Sequence, residues 1–260
     1  MEEPLTIVTT VADGIARIMW PADIPASVVR REVAAALMVH ARVEALLDPG
    51  DEAAQRVAAW AGMQREGVMR GVTIDGRPQD RIVYARLASD VPLDDPQSFR
   101  SLLNAYLPRK RAIGQMLVRA ASDEEGEDRV LLCQLTYKRD WDLPGGVVEL
   151  NESPRLAVSR EVEEELGIVI PAGELLLTDW LPPWSGWDDA ICLVFDGGVE
   201  EPVLAERLTL QPNEIRTAEF KTLAEVRELA TDFTARRIEA ALARTHGCGV
   251  PFTESGHRVL

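Results

Sequence analysis

The densest chemistry in the chain lies in Arg160-Glu161-Val162-Glu163-Glu164-Glu165-Leu166, where one arginine stands among four glutamates. Ser153 is a good N-cap, Pro154 suits the first helical position and Gly167 suits a left-handed stop, so the spacing predicts a helix over Pro154–Leu166. With Leu156 set at the origin and about 100° per residue, Glu164, Glu161 and Glu165 fall at about 80°, 140° and 180°. Val158, Val162 and Leu166 form a separate apolar stripe between about 200° and 280°, and Glu163 points elsewhere, at about 340°. Three carboxylates at i, i+3 and i+4 thus share a face. Like charges at that spacing destabilise a bare helix by about 0.2–0.5 kcal/mol per pair. Hard divalent cations with oxygen ligands, Mg²⁺ or Mn²⁺, are the natural neutralisers; a solvated acidic face is the alternative for an isolated run of this kind.

The frame around the run narrows that choice. Gly146, Glu152, Arg160, Glu161, Val162, Glu164, Glu165, Gly167 and Ile168 fill nine fixed or class-restricted positions across 23 residues, and Trp141-Asp-Leu-Pro-Gly-Gly146 leads into them. At every one of these positions the pattern resembles the Nudix box, and the likeness covers roughly Arg111–Arg244. The resemblance implies that Glu161, Glu164 and Glu165 are metal ligands, joined by the carbonyl of Gly145. It implies that Glu152 and Arg160 brace the loop–helix–loop, with Arg160 also orienting a ligand glutamate. The implied reaction is Mg²⁺-dependent hydrolysis of a nucleoside diphosphate linked to another moiety, by attack of water on phosphorus, with Mn²⁺ as a second metal. Metal ions suit that task because they offset charge on diphosphate oxygens and acidify water, while a carboxylate takes the proton. The family sometimes carries this base on a later loop, so Asp188, Asp189 and Glu214 are candidates alongside the box glutamates.

Downstream, Asp179-Trp180-Leu-Pro182-Pro183-Trp184-Ser-Gly-Trp187-Asp188-Asp189 holds half of the chain's six tryptophans. Indole faces stack on bases, so Trp180, Trp184 and Trp187 are candidate substrate contacts. A Pro/Trp loop packed over a sheet edge or a subunit partner is the equal alternative. Pro183 lies fifteen residues beyond Ile168, where a proline resembles the ADP-ribose pyrophosphatase branch; this favours ADP-ribose or a nucleotide sugar only weakly. Phe195-Asp196-Gly197-Gly198 reads as a strand end and turn.

The elements that must position these residues follow from periodicity. Strands are expected at Ile113–Arg119 and Val130–Tyr137 around a polar turn at 122–126, then at Glu174–Thr178 and Ala190–Phe195, with helices at Leu223–Leu229 and Phe233–Arg244. The first half reads as strand Ile15–Trp20, helix Ala26–Ala41, strand Val43–Leu47, a helix from the cap Asp51 to about Ala61, and a strand pair Gln64–Arg70 and Arg81–Leu87 around Asp75-Gly76. These mixed strands and helices give an α/β (α+β) fold class, and the Nudix resemblance implies an α/β/α sandwich that follows a smaller α/β domain in the chain. The expected division is a first domain at 1–95, a linker at 96–110 containing a short helix Gln97–Leu107, and a catalytic domain at 111–260.

Within the first domain, Trp60-Ala-Gly62-Met63-Gln-Arg65-Glu66-Gly67-Val68-Met-Arg70 and Asp80-Arg-Ile-Val-Tyr84-Ala-Arg-Leu87 resemble the C-terminal half of a GNAT acetyltransferase. Trp20–Arg31 carries prolines and no glycine, unlike that family's phosphate-cradling loop. The helix tyrosine often used as the acid is also missing. The resemblance therefore implies a degenerate, non-catalytic scaffold, with a residual acyl-CoA or ligand site as the alternative. Apolar sheet surface in a half-domain predicts a homodimer.

Composition excludes other classes. The chain has 260 residues, with 28 Lys+Arg against 43 Asp+Glu, a net charge of −15. Residues 1–108 hold 11 basic and 15 acidic side chains, net −4; residues 109–260 hold 17 and 28, net −11. Such a field opposes nucleic acid polymers and anionic membranes, and no apolar run reaches the ~18 residues of a membrane span. Cys133, Cys192 and Cys248 form no CxxC pair, so a cytoplasmic protein without disulfides or structural zinc is expected. The expected partner is a small nucleotide, hydrolysed at its diphosphate. A nucleotide sensor without turnover, or more remotely an acetyltransferase, is the competing function.

Overall fold

The computed structural model of the chain describes residues 6–74, 76–120 and 127–259. It divides into two compact units, Met1–Pro108 and Arg109–Leu260. The turn expected at 122–126, and Asp75 of the Asp75-Gly76 turn, lie outside the described residues.

The first unit runs β1 (Ile7–Ala12), β2 (Ile15–Met19), α1 (Ala26–Leu37), β3 (Arg42–Leu47), α2 (Glu52–Trp60), β4 (Gln64–Ile74), β5 (Arg77–Leu87) and α3 (Pro96–Tyr106). Its sheet has the order β1-β2-β3-β5-β4, with β2 and β3 parallel and the other neighbours antiparallel. Ala16 and Ile18, Val43 and Ala45, and Ile82 and Tyr84 alternate onto one face and meet Val29 and Val33 of α1 and Ala58 of α2. Asp51 caps α2 as its position predicts, accepting from the Ala54 amide at 2.9 Å.

In this unit β4 and β5 extend further toward their shared turn than expected, and β1 and α1 depart more fully. β1 was not anticipated: all six of its residues are exposed, so burial imprints no alternation on them. α1 stops at Leu37 rather than Ala41, because the amides of Ala41 and Arg42 both donate to the Gly14 carbonyl, at 2.9 and 3.1 Å, to begin the β2–β3 pairing. Met38 and Val39, which extended the apolar period, are 83% and 78% exposed.

The second unit runs β6 (Arg111–Ala120), β7 (Arg129–Leu135), β8 (Trp141–Asp142), β9 (Gly145–Val147), α4 (Pro154–Leu166), β10 (Leu175–Leu181), β11 (Ala190–Glu200), a 3-10 turn at Pro202–Arg207, β12 (Ile215–Thr222), α5 (Leu223–Leu229), α6 (Asp232–Thr245), β13 (Phe252–Glu254) and β14 (His257–Arg258). The sheet order is β12-β7-β6-β11-β10-β13-β14. β6 and β7 are paired only at Arg119–Val130 and then diverge; β9 takes the place beside β6 and β8 the place beside β7.

Central strands are buried on both faces. Met116 and Val118 of β6, with Leu131 and Cys133 of β7, pack against Val158, Val162 and Leu166 of α4. Leu117, Val130 and Leu132 pack instead with Val226 of α5 and Ile238 and Leu242 of α6. The result is the expected α/β/α sandwich. Each fully buried aliphatic side chain of the α4 stripe contributes roughly 1.5–3 kcal/mol, which holds the acidic face of that helix at a fixed rotation.

β11 corrects another expectation: the strand does not end at Phe195 but continues to Glu200 through a bulge at Gly197-Gly198. Side-chain room decides it, since a Cβ on Gly197 would lie 2.7 Å from Val118 Cγ2. β12, β13 and β14 were also not anticipated, being short or rich in polar residues. Among the described residues no helix is long and apolar enough to cross a membrane, and all three cysteines are free.

Candidate active site

The acidic helix is built as its residues predict. The Leu156 amide donates to Ser153 Oγ at 3.3 Å, Pro154 opens the first turn, and Gly167 closes the helix at φ 68°. The last carbonyls are satisfied from outside, those of Glu165 and Leu166 accepting from the amides of Gln211 and Thr209 at 2.9 Å each.

The three glutamates assigned to one face are not equivalent in depth. Glu165, next to the apolar stripe, is 5% exposed; the side chains of Glu161 and Glu164 are 16% and 58% exposed. Glu163 faces solvent. Burial pushes the Glu165 carboxyl up to about 8; the Gly145 amide opposes this at 3.0 Å, and the charges of Glu161, Glu214 and Asp142 add to it. Burial raises Glu161 too, against Arg160, with Glu164 and Glu214 adding to the rise.

Arg160 joins the cluster from the helix side. Its Nε and Nη2 donate to the two oxygens of Glu152 at 2.9 and 3.0 Å, and its Nη1 donates to Glu161 and Glu164, both at 3.0 Å. The Glu152 hydrogen bonds hold that carboxyl low and the guanidinium high. Glu152 also accepts from the Glu149 amide at 3.2 Å, tying the loop before the helix to the helix itself.

Two glycines leave no space for a Cβ while the site keeps its present arrangement. Gly146 lies against Glu161, so a Cβ there would fall 2.5 Å from the carboxylate carbon. Gly145 has φ 136°, and its Cβ would sit 2.2 Å from the Gly114 carbonyl oxygen.

Arg160 occupies Glu161 and Glu164, and among the described residues no three His, Cys, Asp or Glu side chains converge closely enough to hold an ion. The donors are nonetheless all hard oxygens, and burial raises both Glu165 and Glu161, the latter against its ion pair with Arg160. That chemistry fits a hard divalent ion once Glu164 turns away from Arg160.

The three base candidates separate. Asp189 is engaged by Lys110 and by Trp180 Nε1 at 3.3 Å, and its carboxyl is lowered mainly by the Lys110 hydrogen bond. Asp188 contributes its carbonyl to Arg111 at 3.2 Å. Glu214 alone of the three acts electrostatically on both Glu161 and Glu165.

The tryptophans divide as well. Trp180 is partly buried and spends its N–H on Asp189. Trp184 and Trp187 are 58% and 62% exposed and close a tight turn by mutual backbone hydrogen bonds of 3.1 and 2.9 Å. They line a cleft of about 170 Å³ with Arg111, Leu181, Phe233 and Arg236. The Arg111 guanidinium lies 4.7 Å from the Trp187 ring centre, and Trp184 meets Phe233 edge-on at 5.8 Å. Sequence reasoning missed Arg111, Phe233 and Arg236, which come from two remote elements. It also missed Gln115, Asp179 and Arg237, all at most 5% exposed; their signal was a polar residue inside an otherwise apolar strand or helix face.

The NUDIX domain family matches residues 113–242, half of the chain. This protein belongs to the NUDIX family. The NUDIX chain is 45% identical over 49 residues to a MutT-like protein of Streptomyces ambofaciens, covering 19% of this chain and 32% of the relative. It is 33% identical over 84 residues to the nucleoside triphosphatase NudI of Klebsiella pneumoniae (strain 342), covering 30% and 55%. The matches thus span about a third and about half the length of these curated relatives. Among solved structures it is similar to the MutT protein of Methanosarcina mazei Go1, with 26% identity, TM-score 0.44 and coverage of 54% of this chain and 98% of that one. It is similar also to the NUDIX domain of Shewanella oneidensis NrtR, solved with ADP ribose, with 19% identity, TM-score 0.45 and coverage of 58% and 93%.

Proposed function

We propose that this NUDIX chain hydrolyses the diphosphate of a nucleoside diphosphate linked to a second moiety, an ADP-ribose or nucleotide sugar being the favoured class. The observation that carries the reading is the box itself: Glu161 and Glu165 are held against Gly146 and Gly145 while the Glu152–Arg160 brace fixes the loop to the helix. Glu161, Glu164, Glu165 and the Gly145 carbonyl would hold Mg²⁺ or Mn²⁺, which when bound neutralises diphosphate charge and makes water more acidic. Arg160 keeps Glu161 oriented, and its release of Glu164 frees that carboxylate as a ligand. The base assigned to the attacking water is Glu214, whose charge adds to the upward shift of both buried glutamates. Trp184 and Trp187, with Arg111 beneath the second ring, seat the base.

For the first unit we infer a GNAT-like scaffold without catalysis that pairs two chains. One cleft in it, about 460 Å³, is lined by Trp20, Asp51, Arg56 and Trp60, and the N-cap of α1 is Pro25, with no side-chain cap hydrogen bond. Failure to bind acetyl-CoA in calorimetry supports the scaffold, and binding would restore the ligand-site alternative. A monomer in sedimentation at micromolar concentration would count against the pairing.

The deciding experiment is formation of nucleoside monophosphate from a nucleotide panel with Mg²⁺ and with Mn²⁺. Hydrolysis of diphosphate-linked nucleosides is the expected result. Tight binding with no turnover of any member would overturn it in favour of a sensor.

A further inference from the structure

Behind the box, on the face of β6 opposite α4, a chain of polar groups crosses five elements. Asp179 of β10 is fully buried; its Oδ1 accepts from Thr253 Oγ1 at 2.7 Å and from the Gly256 amide at 2.8 Å, both in the β13–β14 hairpin. Its Oδ2 accepts from Arg237 Nε of α6 at 2.9 Å. Arg237 Nη1 donates to Gln115 Oε1 of β6 at 2.9 Å, and Gln115 Nε2 donates to Asp142 Oδ1 at 2.8 Å. Asp142 also accepts from its neighbour Leu143 N at 3.0 Å and from Lys138 Nζ at 2.9 Å.

The arrangement ends where the box begins. Gln115 stands opposite Gly145 in the β6–β9 pairing, and the next residue, Met116, donates its amide to the Pro144 carbonyl at 2.9 Å. One strand position thus grips the lead-in twice, by side chain at Asp142 and by backbone at Pro144–Gly145. Gly145 in turn donates to Glu165. A wholly buried ion pair is weak evidence for stability, because desolvation offsets the attraction, yet removing one member leaves an unpaired buried charge. Such a group holds its partners in one geometry.

We infer that the Thr253–Asp179–Arg237–Gln115–Asp142 relay is a positioning device that sets the backbone of residues 142–147. Through it the β13–β14 hairpin, which lies beyond the matched NUDIX residues 113–242, takes part in building the box. Gln115, Arg237 and Thr253 are positioning residues. The consequence for turnover rests on the proposed metal-dependent hydrolysis, but the structural claim does not.

The test is amide hydrogen exchange on the metal-free full chain for Gln115→Leu, Thr253→Val and Thr253→Ser. Gln115→Leu is expected to speed exchange across 142–147 by about tenfold. Thr253→Val preserves shape and removes one donor; it is expected to speed exchange in the same segment several-fold, while α4 and the first unit are unchanged. Thr253→Ser keeps the hydroxyl and restores the wild-type pattern. A purely local role for Thr253 would confine its effect to β10 and β13, and unchanged exchange at 142–147 in Thr253→Val would overturn the inference even if Gln115→Leu failed to fold. Mn²⁺ calorimetry on the same variants separates the two claims. Weaker Mn²⁺ binding in Thr253→Val extends the relay to the metal site, whereas wild-type protein that binds no Mn²⁺ refutes the proposed function and leaves the exchange result to decide the relay.

Discussion

At the residue scale, the cluster is a case of unequal burial imposed on identical side chains. Glu165 and Glu164 are neighbours in sequence, yet one is 5% exposed and the other carries a 58% exposed side chain. Both glutamines, Glu164→Gln and Glu165→Gln, should cut turnover at least about 10²-fold by removing a metal ligand, with circular dichroism unchanged. Glu214→Gln should lower kcat by about 10²-fold with KM preserved, in line with loss of a general base; Asp188→Asn and Asp189→Asn should not. Glu165 also makes stability depend on pH. Its folded value of about 8 lies above the ordinary 4.5, so between those limits the folded state holds the extra proton. Stability of the metal-free protein therefore falls as pH rises through that window, on the order of a few kcal/mol in total. Thermal melts of Glu165→Gln should fall less steeply there, and an equally steep fall in the variant would refute the assignment.

At the scale of elements, α4 and β9 work as one piece because two backbone positions carry no side chain. A methyl at Gly146 would lie 2.5 Å from the Glu161 carboxylate. The carboxylate must then leave its place beside Arg160, so Gly146→Ala should lose at least about tenfold in turnover while the apolar stripe under α4 keeps the helix folded. Wild-type kcat in that variant would show that Glu161 acts from elsewhere. The boundaries of α4 were legible in Ser153, Pro154 and Gly167 because caps are local chemistry. The end of α1 was not, because it is set by the distant Gly14 carbonyl.

For the whole molecule, the two units keep separate cores, and most of the negative charge, −11 of −15, belongs to the unit carrying the box. Mn²⁺ at 100 times its Kd should stabilise the protein by ~2.7 kcal/mol. The hydrogen-exchange protection gained should fall in residues 109–260, and protection gained across the β1–β5 sheet would move the metal site out of the box. The sequence by itself determined the acidic helix and the α/β class, which depend on local caps and periodicity, and its resemblance to the Nudix box over 23 residues implied the brace and the sandwich. Tertiary structure alone decided which glutamate is buried, that Trp184 and Trp187 open onto a cleft while Trp180 does not, and that Asp179, Arg237, Gln115 and Asp142 meet. Those outcomes depend on which remote strands and helices become neighbours, and side-chain hydrogen bonds across 58 or 122 positions of chain leave no periodic trace in the sequence.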